Sequence, residues 1–304
     1  MKNKLLFLML FLFCTFSISA QQESQYSQYM YNTMTFNPGY TGSRQVATTM
    51  GLYRTQWVGL DGAPTTMNFS IQTPIGSGAN GIGLDIVNDE IGPASNIGLM
   101  ANFAYTILGG TDIKYSFGIC GGFDNFSVDY SMLNPENPDP NFVGEMSQFS
   151  PNVGVGFYIH SPDWYIGLSS PKLLKTNFYD DVKETVYSAK SQFYIIAGYV
   201  LNLNPNLKFK PATLVKAVFG APISVDVSAS FLINDKFTVG AAYRWDAAVS
   251  ALAGFQVTDI IQIGYGYDHD TTGIGNYNSG SHELFLRFDL IRKSKARLVT
   301  PRFF

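Results

Sequence analysis

Between residues 95 and 124 the chain alternates with period two. Ile97, Leu99, Ala101, Phe103, Tyr105 and Ile107 fall on one face, and Gly98, Met100, Asn102, Ala104 and Thr106 on the other. After Gly109-Gly110-Thr111-Asp112 the run returns. Ile113, Tyr115, Phe117, Ile119 and Phe123 share a face opposite Lys114, Ser116, Gly118, Cys120 and Gly122. Strict alternation broken by turn residues predicts a β-hairpin. Each arm has the roughly 9–11 residues that a tilted strand needs to cross a bilayer. One face is apolar and the other small and polar, the pattern of lipid outside and lumen inside.

The unit repeats along the chain. Strands are expected at 46–56, 65–73 and 81–87, then the hairpin arms, then 152–159, 164–169 and 192–203. Six more follow: 207–218, 224–233, 236–245, 248–257, 260–267 and 282–290. Pro211 cannot donate to a ladder and predicts a bulge. The total is fourteen, an even number as bacterial single-chain barrels require. Every second connection is short (109–112, 160–163, 204–206, 234–235, 258–259), while 125–149, 171–190 and 268–281 are long. Short periplasmic turns opposite longer outer loops are a barrel's signature, and a soluble sandwich has no reason for it. The fold class is therefore all-β, a transmembrane antiparallel barrel with both termini expected in the periplasm.

Composition agrees. Charged residues are 14% of the 304, aromatics 15%, and glycines number 29. Beyond the first 20 residues no apolar run approaches the ~20 needed for a spanning helix. On composition alone a soluble β-sandwich remains an alternative; the loop asymmetry decides against it.

Residues 1–20 form a separate object. Lys2 and Lys4 precede an apolar stretch from Leu5 to Phe16 and an exit at Ser17-Ile18-Ser19-Ala20, which reads as a signal peptide. Ile18 makes the cleavage pattern imperfect, and bulky Phe13 before Cys14 argues against lipidation. Without Lys2 and Lys4, 18 basic residues face 23 acidic ones, a net of −5. That balance leaves no basic footprint for nucleic acid. Cys120 then stands alone, so no internal disulfide forms. Residues 21–45 are expected as a periplasmic or lumenal segment, 46–290 as the barrel, and 291–304 as a basic periplasmic tail.

No chemistry stands out. His269 lies between Asp268 and Asp270, but without a second His or Cys nearby it reads as a solvated loop. His160 and His282 sit at strand ends and read as interfacial packing. No nucleophile elbow occurs. No enzyme, metal or cofactor is expected. The inward faces mix Lys114, Lys208, Lys210, Lys216, Arg244 and Arg287 with Asp85, Asp226, Glu283 and Asp289. These charges either close a network across the lumen or line a weakly selective pore. The polar N-terminal segment, available as filling, favours the network.

Several motifs carry a resemblance. They are Tyr26-Ser27-Gln28-Tyr29-Met30, then residues 36–43 (Phe36-Asn37-Pro38-Gly39-Tyr40-Thr41-Gly42-Ser43), then the run from Gln56-Trp57-Val58-Gly59-Leu60 to Thr66. Tyr265-Gly266-Tyr267-Asp268, Asn276 to Glu283, Phe231 to Phe237, and the terminal Thr300-Pro301-Arg302-Phe303-Phe304 complete the set. Together they resemble the PorP/SprF family across the mature chain, departing at Gly39 and Leu60, where Ala and Phe are expected. The resemblance implies an outer-membrane component of the type IX secretion system, or a paralogue serving one secreted protein. Its implied partners are a secreted substrate protein, such as a gliding adhesin held at the cell surface, and other secretion components, besides outer-membrane lipid. A porin or FadL-like uptake channel is the alternative. On the partner reading, Phe142, Phe149, Phe178, Tyr179 and Tyr277 in the outer loops are candidate anchors. Arg292, Lys293, Lys295, Arg297 and Arg302 in the tail are candidates for docking periplasmic machinery.

Overall fold

A computed structural model describes residues 25–290 apart from 77, 111, 133–143, 175, 180–184, 190 and 220, with backbone alone for 176–179 and 185–189. Thus the expected signal peptide and the basic tail 291–304 lie outside the described residues.

The first wall strands are β1 (Ala47–Thr55), β2 (Thr65–Ile75), β3 (Asn80–Ile91), β4 (Ala94–Gly109), β5 (Ile113–Asp129), β6 (Glu145–His160) and β7 (Trp164–Ser170). A small hairpin, β8 (Thr176–Tyr179) with β9 (Thr185–Ala189), stands apart from the wall. The wall resumes with β10 (Gln192–Tyr199), β11 (Leu201–Asn204), β12 (Leu207–Val218), β13 (Ser224–Ile233), β14 (Phe237–Arg244), β15 (Ala248–Gln256), β16 (Ile261–Asp270) and β17 (Ser281–Leu290). Sequential neighbours pair antiparallel, β1 pairs β17, and β12 pairs both β10 and β11. Because β10 and β11 form one interrupted strand, the result is a closed barrel of fourteen strands. Closure leaves no sheet edge running the length of the wall, as a bilayer demands.

All fourteen expected strands are present, and the departures have physical causes. β3, β5 and β6 run past their expected ends, to Ile91, to Asp129 and from Glu145. The added residues include Asn88, Asp89, Glu90, Asn125 and Ser127, which lack an apolar face. Hydrophobic alternation tracks the membrane, not the strand, so it stops where the wall leaves lipid. The long connection expected at 125–149 is correspondingly shorter. The Pro211 irregularity falls on the neighbouring strand. β12 and β13 stay in register through Pro211↔Ala229. On the other side, pairing stops at Gly198↔Ala212 and resumes at Leu201↔Phe209. The residue opposite Pro211 in that register is Tyr199, while the next N–H, that of Val200, faces the β7 side and donates to the Asp163 carbonyl at 2.6 Å.

The burial pattern is inverted relative to a soluble protein. On β4 the outward Phe103 is 41% exposed and inward Asn102 only 6%. Ile97, Phe117, Ile119, Val227 and Phe231 are likewise outward and exposed, while Ser116, Ser228 and Ser230 are inward and buried. Apolar side chains face the bilayer and polar ones the interior. The interior is nevertheless not watery, because residues 25–44 occupy it.

Candidate functional site in the barrel lumen

The N-terminal segment folds by short-range rules. Its ordered parts are a single helical turn, α1 (Thr33–Phe36), and a 3-10 turn at Pro38–Tyr40. Pro38 opens that turn, where its missing N–H costs nothing. Asn37 caps it: Oδ1 accepts the Gly39 N–H at 2.8 Å. Its Nδ2 donates to the Phe157 carbonyl of β6 at 3.0 Å.

The contacts of this segment encircle the barrel. Asn32 Nδ2 donates to Asn68 on β2, and the Thr35 hydroxyl to Asp85 on β3, each at 2.9 Å. The Ser169 hydroxyl of β7 donates to the Phe36 carbonyl at 2.7 Å. Tyr29 Oη lies 3.0 Å from Ser228 Oγ on β13, and Arg244 Nη2 of β14 donates to the Tyr26 carbonyl at 3.3 Å. One segment reaches all these strands only from inside. Tyr29, Met30, Met34, Phe36 and Tyr40 also pack with inward Met50, Leu52, Tyr158, Tyr165, Ile196, Leu252 and Phe285.

Wall glycines form its seat. A Cβ at Gly118 would overlap the Pro38–Gly39 peptide, and one at Gly156 the Asn37 side chain. At Gly81 it would overlap the Thr41 carbonyl. These positions have no side chain because the backbone of the segment occupies that space.

Buried ion pairs fix both ends. At the end bearing the 271–280 loop, Arg54 on β1 reaches Asp268 on β16 at 2.6 Å and Glu283 on β17 at 3.2 Å. Glu283 accepts the backbone N–H groups of Ser27 and Gln28, each at 2.8 Å. At the short-turn end Arg44 pairs with Asp289 at 2.8 Å, and the Thr48 hydroxyl donates to the same carboxylate at 2.9 Å. At the long-loop end as well, Arg244 pairs with Asp226 at 2.7 Å. The segment therefore threads the lumen from end to end. Tyr26–Gln28 lie at the long-loop mouth, whereas both termini were expected at the short-turn side. The grip of Glu283 on two backbone amides is what places them there.

Of the expected lumen charges, Asp226, Arg244, Glu283 and Asp289 belong to these networks, and Arg287, Lys210 and Lys216 are buried. Lys208 does not: it pairs with Asp235 at 2.7 Å near the barrel rim. The alternation also marks Arg54, two residues past inward Leu52, as lumenal. Asp268 was read as loop, yet it belongs to β16 and is buried.

The candidate anchors stand separately. Phe149 on β6 is 61% exposed, its ring 4.9 Å from Phe123. Tyr277 in the 271–280 loop is 75% exposed. Phe142, the side chains of Phe178 and Tyr179, and Arg292, Lys293, Lys295, Arg297 and Arg302 lie outside the described residues. Among the described residues no group of three His, Cys, Asp or Glu is arranged to hold a metal ion.

A family model described as "Type IX secretion system membrane protein PorP/SprF" matches residues 18–288. No curated protein matches the chain. Among solved structures, the toluene transporter TbuX of Ralstonia pickettii aligns at TM-score 0.50 and 8% identity, over 84% of this chain and 92% of that one. A FadL homologue of Pseudomonas aeruginosa aligns at TM-score 0.50 and 11% identity, over 90% and 96%. At such identities the likeness is one of fold, the outer-membrane barrel.

Proposed function

Because the chain belongs to the PorP/SprF family of type IX secretion membrane proteins, we propose that this outer-membrane barrel assists secretion of a partner protein and holds it at the cell surface. The observation that carries the reading is the filled lumen. Residues 25–44 lie on a glycine seat, tied to the wall at one end by the Arg44–Asp289 ion pair and at the other by the Glu283 carboxylate on the Ser27 and Gln28 amides. A barrel packed this way presents surfaces rather than a path for solutes. The outer end of the barrel, with Phe149 on β6 and Tyr277 in the 271–280 loop exposed, supplies aromatic anchors for a large partner. Family and fold point away from an enzyme. The tail 291–304 adds basic charge for contact with other secretion components in the periplasm.

The test is deletion of the gene followed by a surface-protein inventory. Loss of one or a few large secreted proteins, with general secretion continuing, is the expected result. Shortening 125–149, 171–190 or 268–281, with barrel assembly checked, reproduces the loss. Intact surface proteins together with failed uptake of a small nutrient would instead establish a channel.

A further inference from the structure

Arg287 is held in an unusual way. It projects inward from β17 and is 2% exposed. Its Nε lies 3.6 Å from Asp289 Oδ2, beyond hydrogen-bond reach. Neither Nε nor Nη2 has a hydrogen-bond partner among the described residues. The carboxylate it faces is already engaged. Asp289 Oδ2 accepts from Arg44 Nη2, and Oδ1 from the Thr48 hydroxyl.

The surroundings are cationic. The Arg287 guanidinium carbon lies 5.7 Å from the centroid of the Tyr31 ring. Lys210 Nζ, reaching in from β12, is 6.0 Å from the same centroid and 5.6 Å from that of Tyr165. Arg44, Arg287 and Lys210 thus converge on Tyr31 and Asp289, all buried or packed in the filled lumen. Guanidinium groups keep their charge in proteins. Even with Lys210 neutral, two arginines share one carboxylate. A buried charge without a counter-charge is strongly disfavoured, and proteins pair it or bind an ion.

We propose that this locus binds one small anion of the halide class. The ion sits against Arg287 Nε and Nη2, between the wall and the threaded segment. Enclosure by Tyr31, Tyr165 and Lys210 selects for size, since a bulky oxyanion would have to displace packed rings. The bound ion links wall strands β12 and β17 to the segment at Tyr31 and Arg44, and so fastens the filling near the short-turn end. This inference does not depend on the proposed secretion role.

The experiment uses the mature chain in detergent, with bromide as the probe. Thermal unfolding is followed in sodium gluconate with increasing sodium bromide at constant ionic strength. The expected result is a saturable rise of the midpoint, on the order of 5 °C at high occupancy. Arg287→Gln abolishes the rise, while Lys236→Gln on the exposed turn leaves it intact. Crystals grown in bromide show an anomalous peak beside Arg287 Nη2, a readout that stands even where Arg287→Gln fails to assemble. A midpoint indifferent to bromide, a peak only elsewhere (an adventitious ion only), or a water bridging Arg287 to the unpartnered Gln262 Oε1 overturns the proposal.

Discussion

Glu283 and Ser27 are joined across 256 residues of sequence: the carboxylate of β17 accepts the Ser27 backbone N–H at 2.8 Å. The bond is deeply buried and is braced by Arg54 at 3.2 Å. A fixed carboxylate thereby holds main chain, and the Ser27 hydroxyl joins the same network by donating to Asp268 and accepting from Arg54.

The first prediction concerns that brace. Arg54→Met leaves Asp268 and Glu283 buried without their cation, and removing one partner of a buried pair costs roughly 3–5 kcal/mol. Adding Asp268→Asn and Glu283→Gln restores part of the loss. Equilibrium unfolding in urea of the single and combined variants measures it, and strictly additive losses would contradict a shared network.

The glycine seat makes a sharper contrast. Gly118→Ala drives a methyl into the Pro38–Gly39 peptide, whereas nothing lies within 4 Å of a Cβ at Gly121. Gly118→Ala is expected to displace the segment and raise single-channel conductance in planar bilayers above the silent wild type. Gly121→Ala stays silent and within about 0.5 kcal/mol of wild-type stability. Wild-type protein that conducts steadily refutes the filled lumen.

Inward and outward positions on β13 respond differently. Val227 faces lipid, and Arg there costs roughly 2–4 kcal/mol near mid-membrane. The sequence pattern alone makes Arg at neighbouring Ser228 the milder change. The structure reverses that expectation, because Ser228 is buried with its hydroxyl 3.0 Å from that of Tyr29. Arg at Ser228 therefore also destabilises, and Tyr29→Ala relieves that loss but not the one at Val227. Refolding yields of the four variants check this.

Topology is tested by labelling. Ser147→Cys, in the exposed outer part of β6, is expected to react with an impermeant thiol reagent in intact cells. Asp235→Cys, in the opposite short turn, stays unlabelled until the cells are opened. Labelling at 235 alone would invert the barrel.

Strand number, order and facing were legible in the chain because they are local. A two-residue period in a bilayer-length run states which face meets lipid, as at Ile97 to Ile107, and turn residues such as Asn234-Asp235 state where it reverses. The family motifs at 26–30 and 36–43 were equally visible, but their role was not. Asn37-Pro38-Gly39 is a turn in any protein. That it sits on Gly118 and Gly156 depends on which strands closure brings opposite it, and no local pattern records that. The same holds for Arg54, far in sequence from Asp268 and Glu283 and brought to them only across the β1–β17 seam. Periodicity settled the wall and its membrane. The tertiary structure decided that the lumen is filled, because filling is a matter of long-range complementarity: missing side chains on one element make room for the backbone of another.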